Sequence, residues 1–232
     1  MTTLVLVRHG QAAFGSSNYD QLSLLGARQA RTLGEHWARL KFASDAFYSG
    51  DMSRQQASAA HALTGMGLPD APVQIHPGFN EYDFEAILSA YIPMVARDHP
   101  EIGIQDKSFY KNPKLFQAAF DKAISYWLQD RPHQRAPFES WTQFSARVTA
   151  GLREVAAADR KTIVAFTSGG VIAVALRAAL GLSEEMTFRM NWRINNASVH
   201  IFRMGRQGLA LQGFNNISHL ELSGDPSLIT FR

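Results

Sequence analysis

The sequence predicts an α/β fold: three layers, with a mostly parallel central sheet flanked by helices and a mainly helical inserted cap. Three observations carry this. Short β-favouring apolar runs alternate with amphipathic stretches of helical period. The runs read as buried on both faces. A proline-rich segment from 87 to 137 breaks the alternation. At 232 residues the chain is long enough for one core domain carrying such an insertion.

Leu4 to Val7 is an apolar run ending at Arg8-His9-Gly10, a strand giving way to a loop. Gly15 to Asp20 is turn-rich. Ser23 is a good N-cap for the amphipathic helix that follows, with Ala30, Leu33, Trp37 and Leu40 on one face. Ala46 to Ser49 reads as a second strand, Met52 to Leu63 as a helix, and Val73 to Ile75 as a brief strand before a loop holding Glu81. Prolines 93, 100, 113, 132 and 137 punctuate the insertion, which contains helix-like patches such as Lys114 to Leu128. Beyond it we expect a helix over Phe144 to Ala157, a strand over Thr162 to Thr167 and a helix over Val171 to Leu180. A final strand pair, Ala197 to Met204 and Leu209 to Asn215, turns between Gly205 and Gly208 and adds antiparallel pairing. The simplest division is a single domain, 1–232, with the cap region 87–137 within it.

Composition excludes several function classes. Apolar residues make up 46% and charged residues 19%, ordinary for a soluble globular protein. The formal charge is only +3 and no run of five basic residues occurs, so a nucleic-acid face has little support. With no cysteine there are no disulfides or thiolate metal sites. Thr162 to Leu182 is mostly apolar, yet Gly169-Gly170 interrupts it and Arg177 would lie in hydrocarbon, so no membrane span is expected. The N-terminal apolar run is too short for a signal peptide, and a cytoplasmic location is the expectation.

Chemistry concentrates at Arg8-His9-Gly10, because ligands of open α/β sheets bind where strands end. A neutral imidazole nitrogen accepts a phosphoryl group, a guanidinium fork matches phosphate oxygens, and glycine admits close backbone approach. Alone, the tripeptide is weak evidence, since a histidine near a strand end is more often a structural or surface residue.

Further blocks strengthen the case. Leu6 to Gln11 resembles the opening signature of the histidine phosphatase superfamily (phosphoglycerate mutase-like), and Leu22 to Gly26 with Gln29-Ala30 resembles its next block. Tyr48 to Arg54 with Ala57 and Ala59 is similar to the block that supplies a second phosphate-binding arginine, which the resemblance puts at Arg54. Phe79-Asn80-Glu81 matches the loop of the acidic proton donor. Thr162 to Ile172 and Asn215 to Leu220 match the later strand-turn-helix and the tail. Only the insertion lies outside the resemblance.

The resemblance implies that His9 is the nucleophile and Glu81 the acid, with Asp83 and Glu85 near enough to substitute. Arg8, Arg54, Gln11, Ser168 and Gly169 are the implied substrate ligands. It implies no metal and no cofactor, since arginines supply the positive charge. The departure is at Ser168, where the family carries a second histidine before glycine. Serine offers one neutral donor in place of a charged one, or is a plain turn residue. His200 and His219 are candidates to restore the missing charge. The family's first-loop asparagine is also out of register, with Gly15 in its place and Asn18 nearby.

The implied activity is hydrolysis of a small phosphomonoester through a phosphohistidine. Two alternatives stand beside it: a weak or inactive phosphate-ligand-binding protein, and a phosphoglycerate-type mutase. A nucleotide-binding protein is disfavoured, since Gly-x-Gly-x-x-Gly and the phosphate-loop lysine motif are absent.

Overall fold

In a computed structural model, which describes residues 1–13, 20–104, 112–133 and 138–231, the elements run in this order. Strand β1 (Thr2–Arg8) leads to helix α1 (Leu24–Arg39), β2 (Ala46–Ser49), α2 (Ser53–Gly65) and β3 (Val73–Ile75). A 3₁₀ turn (Pro77–Phe79) precedes α3 (Phe84–Asp98), α4 (Pro113–Leu128) and α5 (Trp141–Ala157). The chain then forms β4 (Thr162–Thr167), α6 (Gly169–Leu180), α7 (Glu184–Asn191), β5 (Val199–Gly205), β6 (Gly208–Asn216) and the short α8 (Ser218–Glu221). The first-loop positions Gly15 and Asn18, and Pro137, lie outside the described residues.

The strands form one sheet in the order β3-β2-β4-β1-β5-β6. The β1–β4, β2–β4 and β2–β3 pairs are parallel, whereas β1–β5 and β5–β6 are antiparallel. This is the mostly parallel sheet expected, with the last two strands antiparallel because a tight turn at Arg206-Gln207 joins them. β1 and β4 lie side by side, yet the chain leaves β1 toward β2 and leaves β4 toward β5. Their C-terminal ends lie next to each other at the edge of the sheet where ligands of open α/β folds bind.

Two units of the chain are compact: Met1–Glu81 with Arg147–Arg232, and Tyr82–Ala146. In the first, Val5, Val7, Phe47, Val164 and Phe166 meet Leu33 and Trp37 of α1 and Ala59, Ala62 and Leu63 of α2 in one buried cluster. Leu4 and Leu6 are equally buried, and α6 packs against β1 and β6. Both sheet faces are thus covered, which explains why β1 is apolar at every position from Leu4 to Val7 instead of alternating. Ser23 caps α1 by accepting a hydrogen bond from the Gly26 N–H at 3.0 Å.

The second unit holds α3, α4 and the start of α5. Trp127 is fully buried among Tyr82, Trp141 and Phe144, and its indole N–H donates to the Glu139 carbonyl at 3.0 Å. Asp98 ties the unit together by accepting from Arg131 at 2.7 Å and from Tyr126 at 3.1 Å. A hydrogen bond from Arg97 leads the causes that lower its pKa to about 2.

Two helices go beyond the sequence expectation. α3 runs through Pro93, where proline punctuation suggests a break; the side chains Ile87, Leu88, Tyr91, Ile92 and Val95 are buried and outweigh one missing backbone bond. α7 is weakly apolar, and its signal is Ser183 as N-cap with Glu184 and Glu185 in the first turn. Among the described residues no helix is long and apolar enough to cross a membrane.

Candidate active site

The end of β1 brings His9 into contact with a residue 45 positions away. His9 is buried, and its backbone N–H donates to the Thr167 carbonyl of β4 at 2.8 Å, which continues the β1–β4 ladder past Arg8. The carbonyl of His9 accepts from the Ala197 N–H at 3.2 Å. On the ring, Nδ1 lies 2.7 Å from the Gly10 carbonyl. A carbonyl only accepts, so Nδ1 carries the proton and Nε2 carries the lone pair. Arg54, in the first turn of α2, points its Nε at that nitrogen from 3.3 Å.

Electrostatics agree with this tautomer. Burial, then the positive charges of Arg54 and Arg8, push the His9 pKa well below its ordinary value, and the Gly10 carbonyl opposes them. His9 is neutral at physiological pH. A neutral imidazole that keeps a lone pair on Nε2 can act as a nucleophile.

Arg54 is buried and doubly engaged. Its NH1 lies 2.7 Å from Asp20 Oδ1, and the other oxygen of Asp20 accepts from the Ser53 N–H at 2.8 Å. One carboxylate therefore caps the start of α2 and orients the guanidinium. Asp20 was not singled out in the sequence, where it is one polar residue of a turn-rich stretch.

Gly10 holds the loop tightly. Its N–H donates to Ser58 Oγ at 3.0 Å, and Ser58 in turn donates to the Arg54 carbonyl at 2.7 Å. A Cβ on Gly10 would sit 2.2 Å from the Gly26 carbonyl oxygen, so α1 approaches this loop only because glycine stands there. Gln11 follows, with its N–H on Gln29 Oε1 at 2.8 Å and its own side-chain oxygen accepting from Ser23 Oγ at 2.9 Å. Its carboxamide is turned to the start of α1.

The neighbouring strand end is the β4–α6 junction. Ser168 is fully buried, and its Oγ accepts from Gln55 Nε2 at 2.8 Å. Gly169 opens α6, backed by the Asn191 side chain, whose oxygen lies where a Cβ would be, at 2.2 Å. Glu81 reaches this helix start, and its Oε2 accepts from the Gly170 N–H at 3.0 Å. Arg147 braces the segment carrying Glu81 by donating to the carbonyls of Pro77 at 2.6 Å and Asn80 at 3.2 Å. Neither Arg147 nor Gln55 was picked out from the sequence. Arginines and glutamines are common on helix surfaces, and only the folded backbone reveals which carbonyls they meet.

Arg8 takes a different course from Arg54. Its NH1 donates to the carbonyls of Ile194 and, at 3.2 Å, Phe231. Its charge still bears on His9 and on His200. The direct contact is between His9 and Arg54, with Arg8 acting through its field. His200 and His219 do not restore the charge missing at Ser168. Burial first, and then Arg8, lowers the His200 pKa to about 3; burial first, and then His36, lowers that of His219 to about 4. His200 is satisfied in the neutral state by Ser198 Oγ at 2.9 Å and the Asn215 N–H at 3.2 Å.

Comparison with known proteins identifies the family and the fold. The model of the histidine phosphatase superfamily (branch 1) matches residues 4–217. A 2,3-bisphosphoglycerate-dependent phosphoglycerate mutase of Bartonella bacilliformis is 32% identical over 88 residues, covering 35% of this chain and 43% of the relative. This chain thus matches less than half of that protein's length. Among solved structures, the phosphoglycerate mutase of Bacillus anthracis str. Sterne superposes with a TM-score of 0.66 at 18% identity, covering 97% of each chain. A phosphoserine phosphatase variant from Entamoeba histolytica, in complex with phosphoserine, superposes with a TM-score of 0.62 at 19% identity, covering 95% of this chain and all of that one. With a lone-pair imidazole at the end of its first strand and the family model spanning nearly its whole length, the chain belongs to the histidine phosphatase superfamily.

Proposed function

We propose that the protein is a phosphomonoesterase that transfers the phosphoryl group of a small phosphorylated metabolite to His9 and then to water. The observation that carries this is the pairing at the end of β1: Nε2 of His9 holds a lone pair and faces the Arg54 guanidinium at 3.3 Å. In the first step Nε2 attacks phosphorus in line while Arg54 and Arg8 stabilise the nonbridging oxygens. The ester P–O bond breaks, and Glu81 gives its proton to the departing oxygen. In the second step the Glu81 carboxylate takes a proton from water as the water attacks phosphohistidine, which returns His9 to its starting state. The guanidinium groups supply the positive charge, and no metal is required for the step as written.

A hydrolase is favoured over a mutase because a mutase must retain its product and return the phosphoryl group to it. The relatives whose names specify activities include mutases as well as the phosphoserine phosphatase. A second reading rests on Ser168: with a neutral donor in place of a charged one, the pocket recognises a phosphorylated ligand without turning it over. A generic aryl phosphate separates the two, assayed with wild type and His9→Ala. Turnover lost in the variant, with a phosphorylated imidazole trapped by mass spectrometry after brief exposure, supports the hydrolase. Phosphate binding without turnover across a broad substrate panel supports the binding protein.

A further inference from the structure

Ser168 is held by a side chain with only one workable orientation. Gln55, the residue after Arg54 on α2, is fully buried. Its Nε2 donates to the Phe79 carbonyl at 2.9 Å and to Ser168 Oγ at 2.8 Å. The Phe79 carbonyl only accepts, and it also receives the Thr167 hydroxyl at 2.7 Å. Rotating the Gln55 amide by half a turn would set its oxygen against that carbonyl, so the NH₂ group must face this way.

The consequence falls on Ser168. Its oxygen accepts the second Gln55 N–H, so its own proton must point elsewhere. Among the described residues no acceptor meets that proton. Arg8 and Thr167 pair across β1 and β4, which makes His9 and Ser168 the next positions at two adjacent strand ends. The opposite end of the amide is confined as well. A Cβ on Gly50 would lie 1.9 Å from Gln55 Oε1, so the absence of a side chain at 50 is what lets the amide sit there.

We propose that Gln55 is a positioning residue that aims the buried Ser168 hydroxyl as a hydrogen-bond donor at the phosphoryl group in transfer. The assignment rests on the hydrolase reading of His9. Gln55 itself does not touch substrate; it locks one rotor, so that the donor needs no reorganisation as charge redistributes over the phosphoryl oxygens. The pair is neutral and does not titrate in the working range, unlike an imidazolium at the same place.

The test is a double-mutant cycle on 4-nitrophenyl phosphate using Gln55→Met, Ser168→Ala and the double variant, with kcat, KM and Tm measured for each. Gln55→Met keeps the length and removes both N–H groups. We expect it to lower kcat about ten-fold with a smaller change in KM, since the lost bond is made to oxygens that are charged in the ground state and whose charge redistributes during transfer. Ser168→Ala does the same, and the double variant is no slower than Ser168→Ala. Gln55→Glu, close to isosteric, supports the proposal if it also lowers kcat, because its carboxylate takes the Ser168 proton for itself. The proposal is overturned if Gln55→Met keeps wild-type kcat, or if the double variant falls by the product of the two single effects. Should Gln55→Met fail to fold, Gln55→Glu decides alone, and wild-type kcat in it overturns the proposal. A wild type inert toward every aryl phosphate overturns the hydrolase reading and this assignment together, whereas an active wild type with an indifferent Gln55 overturns only the assignment.

Discussion

Arg54 and His9 touch through the nitrogens that matter: Nε of Arg54 lies 3.3 Å from Nε2 of His9, while the far side of the guanidinium holds Asp20 at 2.7 Å. Arg54→Gln removes the charge and the hydrogen bond together. Turnover of an aryl phosphate is expected to fall about a hundred-fold or more. The imidazole pKa of His9, followed by NMR, is expected to rise, because Arg54 is the leading charge that lowers it. An unchanged His9 titration in the folded variant would contradict the electrostatic account.

Asp20 joins two jobs in one carboxylate, capping Ser53 and fixing Arg54. Asp20→Ala leaves a buried guanidinium without that partner and the first turn of α2 without its cap. A stability loss of about 1–2 kcal/mol is expected in urea unfolding. A change within a few tenths of a kcal/mol would mean that the pair contributes nothing measurable, as surface pairs often do.

Gly10 and Gly26 meet backbone to backbone. Gly10→Ala drives a methyl group to within 2.2 Å of the Gly26 oxygen, and the loop must shift to relieve it. Overpacking of this kind costs about 1–3 kcal/mol, and because His9 is the neighbouring residue, kcat should fall with stability. A variant that keeps full activity and wild-type Tm would show that the loop yields freely.

Acidification should weaken the fold through its buried histidines. His9, His200 and His219 all have lowered pKa values, to about 3 for His200 and about 4 for His219. Unfolding restores each to its ordinary value of 6.5, so below that pH the unfolded chain binds more protons and stability falls. Each histidine contributes up to about 1.4 kcal/mol per pH unit in this window. The loss begins near pH 6.5 and eases as pH passes about 4, where His219 titrates in the folded state. Urea midpoints at intervals between pH 7 and 4 check this, and a flat profile refutes it.

Ser168→His probes the departure from the family pattern. Ser168 is completely buried with Gln55 at 2.8 Å, so an imidazole overlaps the amide. The single variant should lose about 1–3 kcal/mol. Gln55→Ala added to it should recover most of that loss and raise turnover above wild type. If turnover stays at or below the wild-type value in a folded double variant, the missing charge is not what limits this site.

Elements with strong local signals were legible before folding. Ser23 capping α1, the β2 and β4 boundaries and the closing hairpin depend on periodicity, cap residues and glycine turns, all of which act within a few residues. α3 was obscured because a proline weakens a local pattern that burial then rescues. His9, Glu81, Ser168 and Arg54 can be named as candidates from the sequence because each sits in a recognisable block.

The chain order alone determined which residues could do the chemistry: a histidine and arginine at a strand end, a second arginine at a helix start, and a serine where a histidine was expected. Only the tertiary structure decided their states and partners. The ring proton of His9 is set by the Gly10 carbonyl, Arg8 turns to the carbonyls of Ile194 and Phe231, and Gln55 orients Ser168. The His9 contact is with its own neighbour but takes effect through burial, whereas the bonds of Arg8, and that of Gln55 to Ser168, join residues more than a hundred positions apart. No local pattern encodes them, because the desolvation and the partner exist only once the strands have paired.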